Sequence, residues 1–280
     1  MRRPRLTDRL SPFQRFYLLA MAAFILGPFL PLIIQSLAFR WAWPDLLPSE
    51  WWLEQRERSI GPLAWDYVFS PYSRVLEATV NTVIIGAAAT ILCLAICLPA
   101  ARVLARERFR GKSAVEFFLS LPLILPEAAI GITLLMVFIG LGLAGSYAGI
   151  IIAHLIPTIP YMVRTLTAVY QGLGTEFEEQ AMVLGASRLQ VFLRVTLPML
   201  MPGVVAGALF TFLVSTNIFL LTFLLGQGRI ITLPTLLFSK VSGGTIDASA
   251  AGITVIATLP GIVLLLLTER FIRQKAFDGY

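Results

Sequence analysis

Apolar runs long enough to cross a lipid bilayer recur through this 280-residue chain and constrain its fold more than any motif does. The hydrocarbon core of a bilayer is roughly 30 Å thick and takes about 20 apolar residues in helical form. Six stretches qualify, at about 16–37, 76–104, 115–141, 147–170, 199–225 and 248–268. In lipid every backbone N–H and C=O must be satisfied within the protein, so such stretches are helices. The expectation is an all-α polytopic membrane protein with six transmembrane helices, a single transmembrane domain over residues 1–280. A hydrophobic share of 57% against 14% charged residues excludes an ordinary soluble domain. The first run follows several arginines, as a signal peptide would. It is too long for a signal h-region and has no small-residue cleavage site, so it is read as a span.

The basic residues orient the spans. Arg2, Arg3, Arg5, Arg9 and Arg15 precede the first run, and Arg102, Arg106, Arg108, Arg110 and Lys112 follow the second. Arg164, Arg188 and Arg194 flank or occupy the segment after the fourth, and Arg270, Arg273 and Lys275 follow the sixth. Sixteen of the 22 basic residues therefore share one side, leaving Arg40, Arg56, Arg58, Arg74, Arg229 and Lys240 on the other. By the positive-inside rule, both termini and the loop at 171–198 are cytoplasmic. The net charge of +6 follows from this topology and is not read as nucleic-acid binding.

That loop carries the densest local signals. Thr175 with Glu178, and Ser187 with Gln190, have the spacing of capping boxes and predict two short helices. Gly185 between them suits the left-handed residue that ends the first, and Pro198 marks entry into the next span. The first helix is expected over about 176–184. Phe177, Ala181 and Leu184 would form its apolar face, with Glu176, Glu179 and Met182 pointing elsewhere. Glu179, Ala181, Leu184, Gly185, Ala186, Leu197 and Pro198 resemble the EAA loop of bacterial ABC-importer permeases, Gln180 standing where that family usually has Ala. The resemblance implies that Glu178, Glu179, Ala181, Leu184, Gly185 and Ala186 couple the chain to an ATPase.

Other motifs narrow the chemistry. Gly111-Lys112-Ser113 has the ending of a phosphate-binding P-loop, but Arg106 stands at its first Gly position and an apolar span precedes it where a strand is required. HExxH and GxSxG are absent from the sequence. Cys93 and Cys97, one turn apart, are expected to pack as small apolar groups, and no metal site is expected. Glu127 would lie about 18 Å beyond Val115, near mid-bilayer, where an ionisable group is costly and marks a pathway by default. Pro122 and Pro126 beside it break the helix where a cavity can satisfy freed carbonyls. His154, Ser215, Thr216, Asn217 and Thr254 are further pathway candidates, or polar contacts between helices. Segment 38–74 holds all five tryptophans, Trp41, Trp43, Trp51, Trp52 and Trp65, and is expected to lie partly helical on the outer leaflet or to form a docking surface.

Residues 106–112 (RERFRGK), 120–135 (SLPLILPEAAIGITLL) and 197–207 (LPMLMPGVVAG) resemble the second permease subunit of spermidine/putrescine-type importers. This likeness implies the type I ABC-importer permease fold in a bacterial inner membrane. It also implies a second permease subunit, of different sequence, two cytoplasmic ATPases that bind ATP and Mg, and an extracytoplasmic substrate-binding protein. The chain itself would bind no cofactor and catalyse no reaction, working by alternating access. Polyamine permeases carry acidic residues where this chain has Thr216 and Asn217, and related permeases handle opines, aminophosphonates, iron or thiamine. A secondary transporter would show an internal repeat of its spans, and none is evident between the two halves. A membrane scaffold would not need Glu127 at mid-span.

Overall fold

The computed structural model describes residues 11–41, 44–58, 60–243 and 247–278. The expectations on Arg2, Arg3, Arg5, Arg9 and Trp43, and on the side chains of Arg270, Arg273 and Lys275, lie outside the described residues. The chain divides into two compact units, one from the described residues within Met1–Arg74 and Lys240–Ile256, the other from those within Val75–Ser239 and Ala257–Tyr280.

In the first unit, α1 (Pro12–Leu26) opens on a capping box. The Ser11 hydroxyl accepts the Gln14 N–H at 3.2 Å and Gln14 accepts the Ser11 N–H at 2.9 Å. Gly27 and Pro28 then interrupt the run, and α2 (Phe29–Leu37) leaves at 42°. The first expected span is thus a bent pair. β1 (Ala38–Arg40) pairs antiparallel with β2 (Glu50–Trp51), so the Trp-rich segment holds a small strand pair besides α3 (Trp52–Gln55) and α4 (Ala64–Phe69). Arg56 joins them, paired with Asp66 at 2.9 Å and lying 5.6 Å above the Trp52 ring. Trp65 stacks on Phe69, and Lys240 bonds the Tyr67 hydroxyl at 2.6 Å.

The second unit contains, in chain order, α5 (Val75–Arg106), α6 (Lys112–Ser120), α7 (Glu127–Gly140), α8 (Tyr147–Gly172), α9 (Glu176–Val183), α10 (Arg188–Val191), α11 (Leu197–Asn217), α12 (Leu220–Gly226), most of α13 (Leu233–Val241) and the later part of α14 (Ala248–Asp278). Its core is the mutual packing of α5, α8 and α11. Cys93, Cys97, Ala101 and Leu104 from α5 meet Met162, Leu166 and Tyr170 from α8, and Leu200 and Val204 from α11. The cysteines are free and buried, with sulfurs 3.7 Å apart, and pack as small groups. Lipid offers no hydrophobic force to join helices, so close backbone approach matters. At Gly203 an added Cβ would come within 2.6 Å of Val169, and at Gly207 within 2.7 Å of Met162.

Two further expected spans, both in the second unit, are interrupted. The segment at 115–141 bends by 96° between Lys112–Leu123 and Glu127–Gly140, because Pro122 and Pro126 cannot donate to the helical ladder. The segment at 199–225 stops at Asn217, passes through extended Ile218 (φ −67°, ψ 113°) and resumes as α12. The reason is local: the Thr216 hydroxyl and Asn217 amide donate to the Leu213 carbonyl at 3.1 and 2.7 Å, competing with the backbone ladder. Val75–Arg106, Tyr147–Gly172, Arg188–Asn217 and Ala248–Leu266 are each long and apolar enough to cross a membrane, and the described spans become six if each bent pair is one.

Candidate functional site

The α9–α10 loop sits at the end of the second unit where α5 and α8 finish. Arg106 at the end of α5 donates to the Gly174 carbonyl at 3.2 Å, which places the basic 106–112 segment beside the loop. Gly185 turns the chain with φ +86°, the left-handed conformation that glycine adopts without strain. The Ser187 box forms as expected, with its hydroxyl accepting from Gln190 N–H and the Gln190 side chain accepting the Ser187 N–H at 2.8 Å.

The Thr175 box does not form. Thr175 makes no side-chain cap, and its supposed partner Glu178 turns inward and is the buried residue of α9. One Glu178 oxygen accepts from Arg102 at 3.2 Å and the other from the Thr196 hydroxyl at 2.7 Å. A carboxylate offered a guanidinium and a hydroxyl in a half-dry site is better satisfied there than at an exposed helix start. This rotates α9 from the expected setting. Ala181 and Ala186 are half-buried, while Phe177, Met182, Val183 and Leu184 face outward, Val183 and Leu184 at 87% exposure. Glu176, Glu179, Gln180, Val183 and Leu184 line an open depression beside α9. Phe192–Thr196 is a π-helical turn, so α10 enters α11 through an irregular joint ending at Thr196.

The second candidate lies where the two interrupted spans meet. A cavity of about 400 Å³ is lined by Pro122, Leu123, Glu127, Ile130, Pro157, Tyr161, Val214, Asn217, Ile218 and Leu221. Glu127 begins α7 rather than sitting in mid-helix, and its carboxylate accepts the Leu221 N–H at 3.4 Å, at the start of α12. Of the pathway candidates, the structure brings Glu127 and Asn217 together here. His154 and Ser215 are buried elsewhere in the same unit, the imidazole Nδ1 lying 2.8 Å from Ser215 and Nε2 2.9 Å from Thr222. Thr216 packs against α5, 3.0 Å from where a Cβ at Gly86 would stand. Thr254 is in the other unit, bonded to the Ala250 carbonyl of its own helix. Sequence reading gave Arg102 a topological role alone and missed Thr196, Thr222 and Tyr161. Only Tyr161 carried a signal, following Pro157 and Pro160 within one span.

A bundle of unbroken and broken apolar helices long enough to cross a membrane, with an exposed helix pair at the foot of α11, is the architecture of a multi-pass membrane protein. The chain belongs to the family described as the binding-protein-dependent transport system inner membrane component, which matches residues 95–275. It is therefore a multi-pass inner-membrane permease component of the ABC-importer type, a class of subunit that is characteristically non-catalytic. It is 36% identical over 163 residues to the molybdenum transport system permease protein ModB of Mycobacterium bovis, covering 54% of this chain and 61% of that protein. It is 36% identical to the sulfate transport system permease protein CysT of Salmonella typhimurium over 53% of this chain and 57% of that one. It is 33% identical to the putrescine transport system permease protein PotI of Escherichia coli over 61% and 64%. The chain thus spans about six tenths of the length of these relatives, and the polyamine type is one of several it resembles. In fold it matches a chain of a bacterial ABC transporter involved in import of the acidic polysaccharide alginate, with TM-score 0.70, 17% identity, and coverage of 97% of this chain and 99% of that one.

Proposed function

We propose that this chain forms half of the translocation pathway of an ATP-driven importer for a small polar solute delivered by a binding protein. Residues 1–280 act as one permease domain with both termini cytoplasmic. A second permease of different sequence completes the pathway, and two ATPase subunits hold the ATP and Mg. The observation that carries this reading is the α9–α10 pair, with Glu178 turned inward, Gly185 at the corner, and Val183 and Leu184 presented outward beside Glu179. An apolar patch of this kind with a carboxylate at its edge suits a groove on a cytoplasmic ATPase. ATP-driven closure would swing the loop as a rigid body and switch the cavity between inward and outward access. Purification through this chain from its native membrane tests the reading; an ATPase held in the complex supports it, and a chain that transports without one restores the secondary-transporter alternative.

The cavity at the two breaks supports a reading of the solute class. Among its described lining residues Glu127 is the one charged group, with Asn217 and Tyr161 as polar neighbours. A carboxylate opposes an oxyanion and favours a cationic or neutral polar solute such as a polyamine-like molecule, an opine or a zwitterionic aminophosphonate. The molybdenum and sulfate permeases among the relatives support an oxyanion instead. Uptake of putrescine against molybdate and sulfate in proteoliposomes separates the two.

A further inference from the structure

We infer that Glu178 is a mechanical pin that locks the coupling helix to two spans, and is not itself a contact with the ATPase. The inference rests on the coupling reading above and refines it. Four of the residues assigned to coupling, Glu179, Ala181, Leu184 and Gly185, are exposed or half-buried on α9 or at its turn, whereas Glu178 is 9% exposed and faces the bundle. Its two oxygens are taken by different elements: Arg102 from the last turns of α5 and Thr196 from the residue before α11.

The placement of Thr196 gives the contact its consequence. Phe192–Thr196 is π-helical, and helices kink at such turns, so a push on α9 would bend the chain there before it reached α11. The Thr196–Glu178 bond spans that turn, tying α9 directly to the place where regular helix resumes. Arg102 does the same toward α5, and Arg106 adds a bond to Gly174 ahead of α9. Because the carboxylate is buried while the Arg102 side chain is half exposed, loss of the guanidinium strands a charge in the interior. The pin therefore holds or fails as a unit. With it, α9, α5 and α11 turn together; without it, the ATPase grips a loop that moves alone.

The test uses the full complex in nanodiscs, with Cys93 and Cys97 replaced by Ala and spin labels at Val103→Cys on α5 and Met182→Cys on α9. In this parent the interlabel distance is expected to be narrow and unchanged between nucleotide-free and ATP–vanadate states. In Glu178→Leu, which keeps the volume and removes both acceptor oxygens, and separately in Arg102→Met, the ATPase is expected to stay bound. The distance distribution should nevertheless broaden at rest and shift on trapping by about 5 Å, one helical turn. The charge swap Arg102→Glu with Glu178→Arg should narrow it again. A distribution as narrow in Glu178→Leu as in the parent overturns the pin. So does loss of the ATPase from Glu178→Leu to the extent seen with Glu179→Lys, which would make Glu178 a docking contact. If the parent itself holds no ATPase, the coupling reading fails, while the resting distributions still decide whether Glu178 fixes α9.

Discussion

His154 provides the sharpest energetic test of how the interrupted fifth span is held. Its imidazole is 1% exposed on α8 and reaches Ser215 before the break and Thr222 after it. The Thr222 hydroxyl also lies 3.3 Å from the Ile218 carbonyl, to which it donates, so its lone pair accepts the imidazole Nε2–H and Nδ1 accepts the Ser215 O–H. His154→Ala removes both bonds, worth about 0.6–1 kcal/mol each inside a membrane bundle. It also opens a cavity of several tens of Å³, at about 24 cal/mol per Å³ a further cost of roughly 1–2 kcal/mol. The expected destabilisation is about 2–4 kcal/mol. Ser215→Ala, which loses one bond and little volume, should cost about 1 kcal/mol. The assay is reversible unfolding in mixed micelles, titrated with SDS and followed by tryptophan fluorescence. In the double variant the two effects should fall short of additive by about 0.5–1 kcal/mol, the signature of a shared bond. Strict additivity, or a His154→Ala cost no larger than that of Ser215→Ala, would mean that His154 does not hold the two halves of the span together.

Gly185→Val forces a β-branched residue into a left-handed turn at φ +86°, a conformational cost of roughly 1–2 kcal/mol without steric contact. The bundle should stay folded by circular dichroism while ATPase retention falls. Glu179→Lys should weaken the same docking by charge reversal, read as the ATPase released on a gel-filtration column. Glu127→Gln keeps an acceptor for the Leu221 N–H, so stability should change little, while the cavity loses its one described charge and cation uptake should fall severalfold. Gly203→Leu drives a side chain into Val169, where even a Cβ would stand 2.6 Å away, and should cost at least about 1–3 kcal/mol in the same SDS titration.

Much of this architecture was legible because bilayer thickness imposes a length on apolar runs, and the runs at 76–104 and 147–170 correspond closely to α5 and α8. The interruptions were half legible. Pro122 and Pro126 announce a break, whereas the end of α11 depends on two side chains, Thr216 and Asn217, bonding one carbonyl, which no periodicity reveals. Gly185 was readable because an isolated glycine between two capping signals has few other uses. The setting of α9 was not. Apolar spacing at Phe177, Ala181 and Leu184 implied one apolar face, but Arg102 and Thr196, distant in sequence, draw Glu178 in, leaving Phe177 and Leu184 exposed and Ala181 half-buried. Nor could sequence say that His154, Ser215 and Thr222 would close on one another while Glu127 and Asn217 shared a cavity.

Coupling of this chain to an ATPase is read out by ATP hydrolysis in the complex purified through it, with and without a binding protein charged from putrescine, molybdate, sulfate, opines and aminophosphonates. The expected result is a co-purifying ATPase whose rate rises severalfold with one loaded ligand, and whose stimulation is lost in Gly185→Val. A chain that carries no ATPase, or an ATPase indifferent to Gly185→Val, would show that the α9–α10 loop does not couple this permease to ATP hydrolysis.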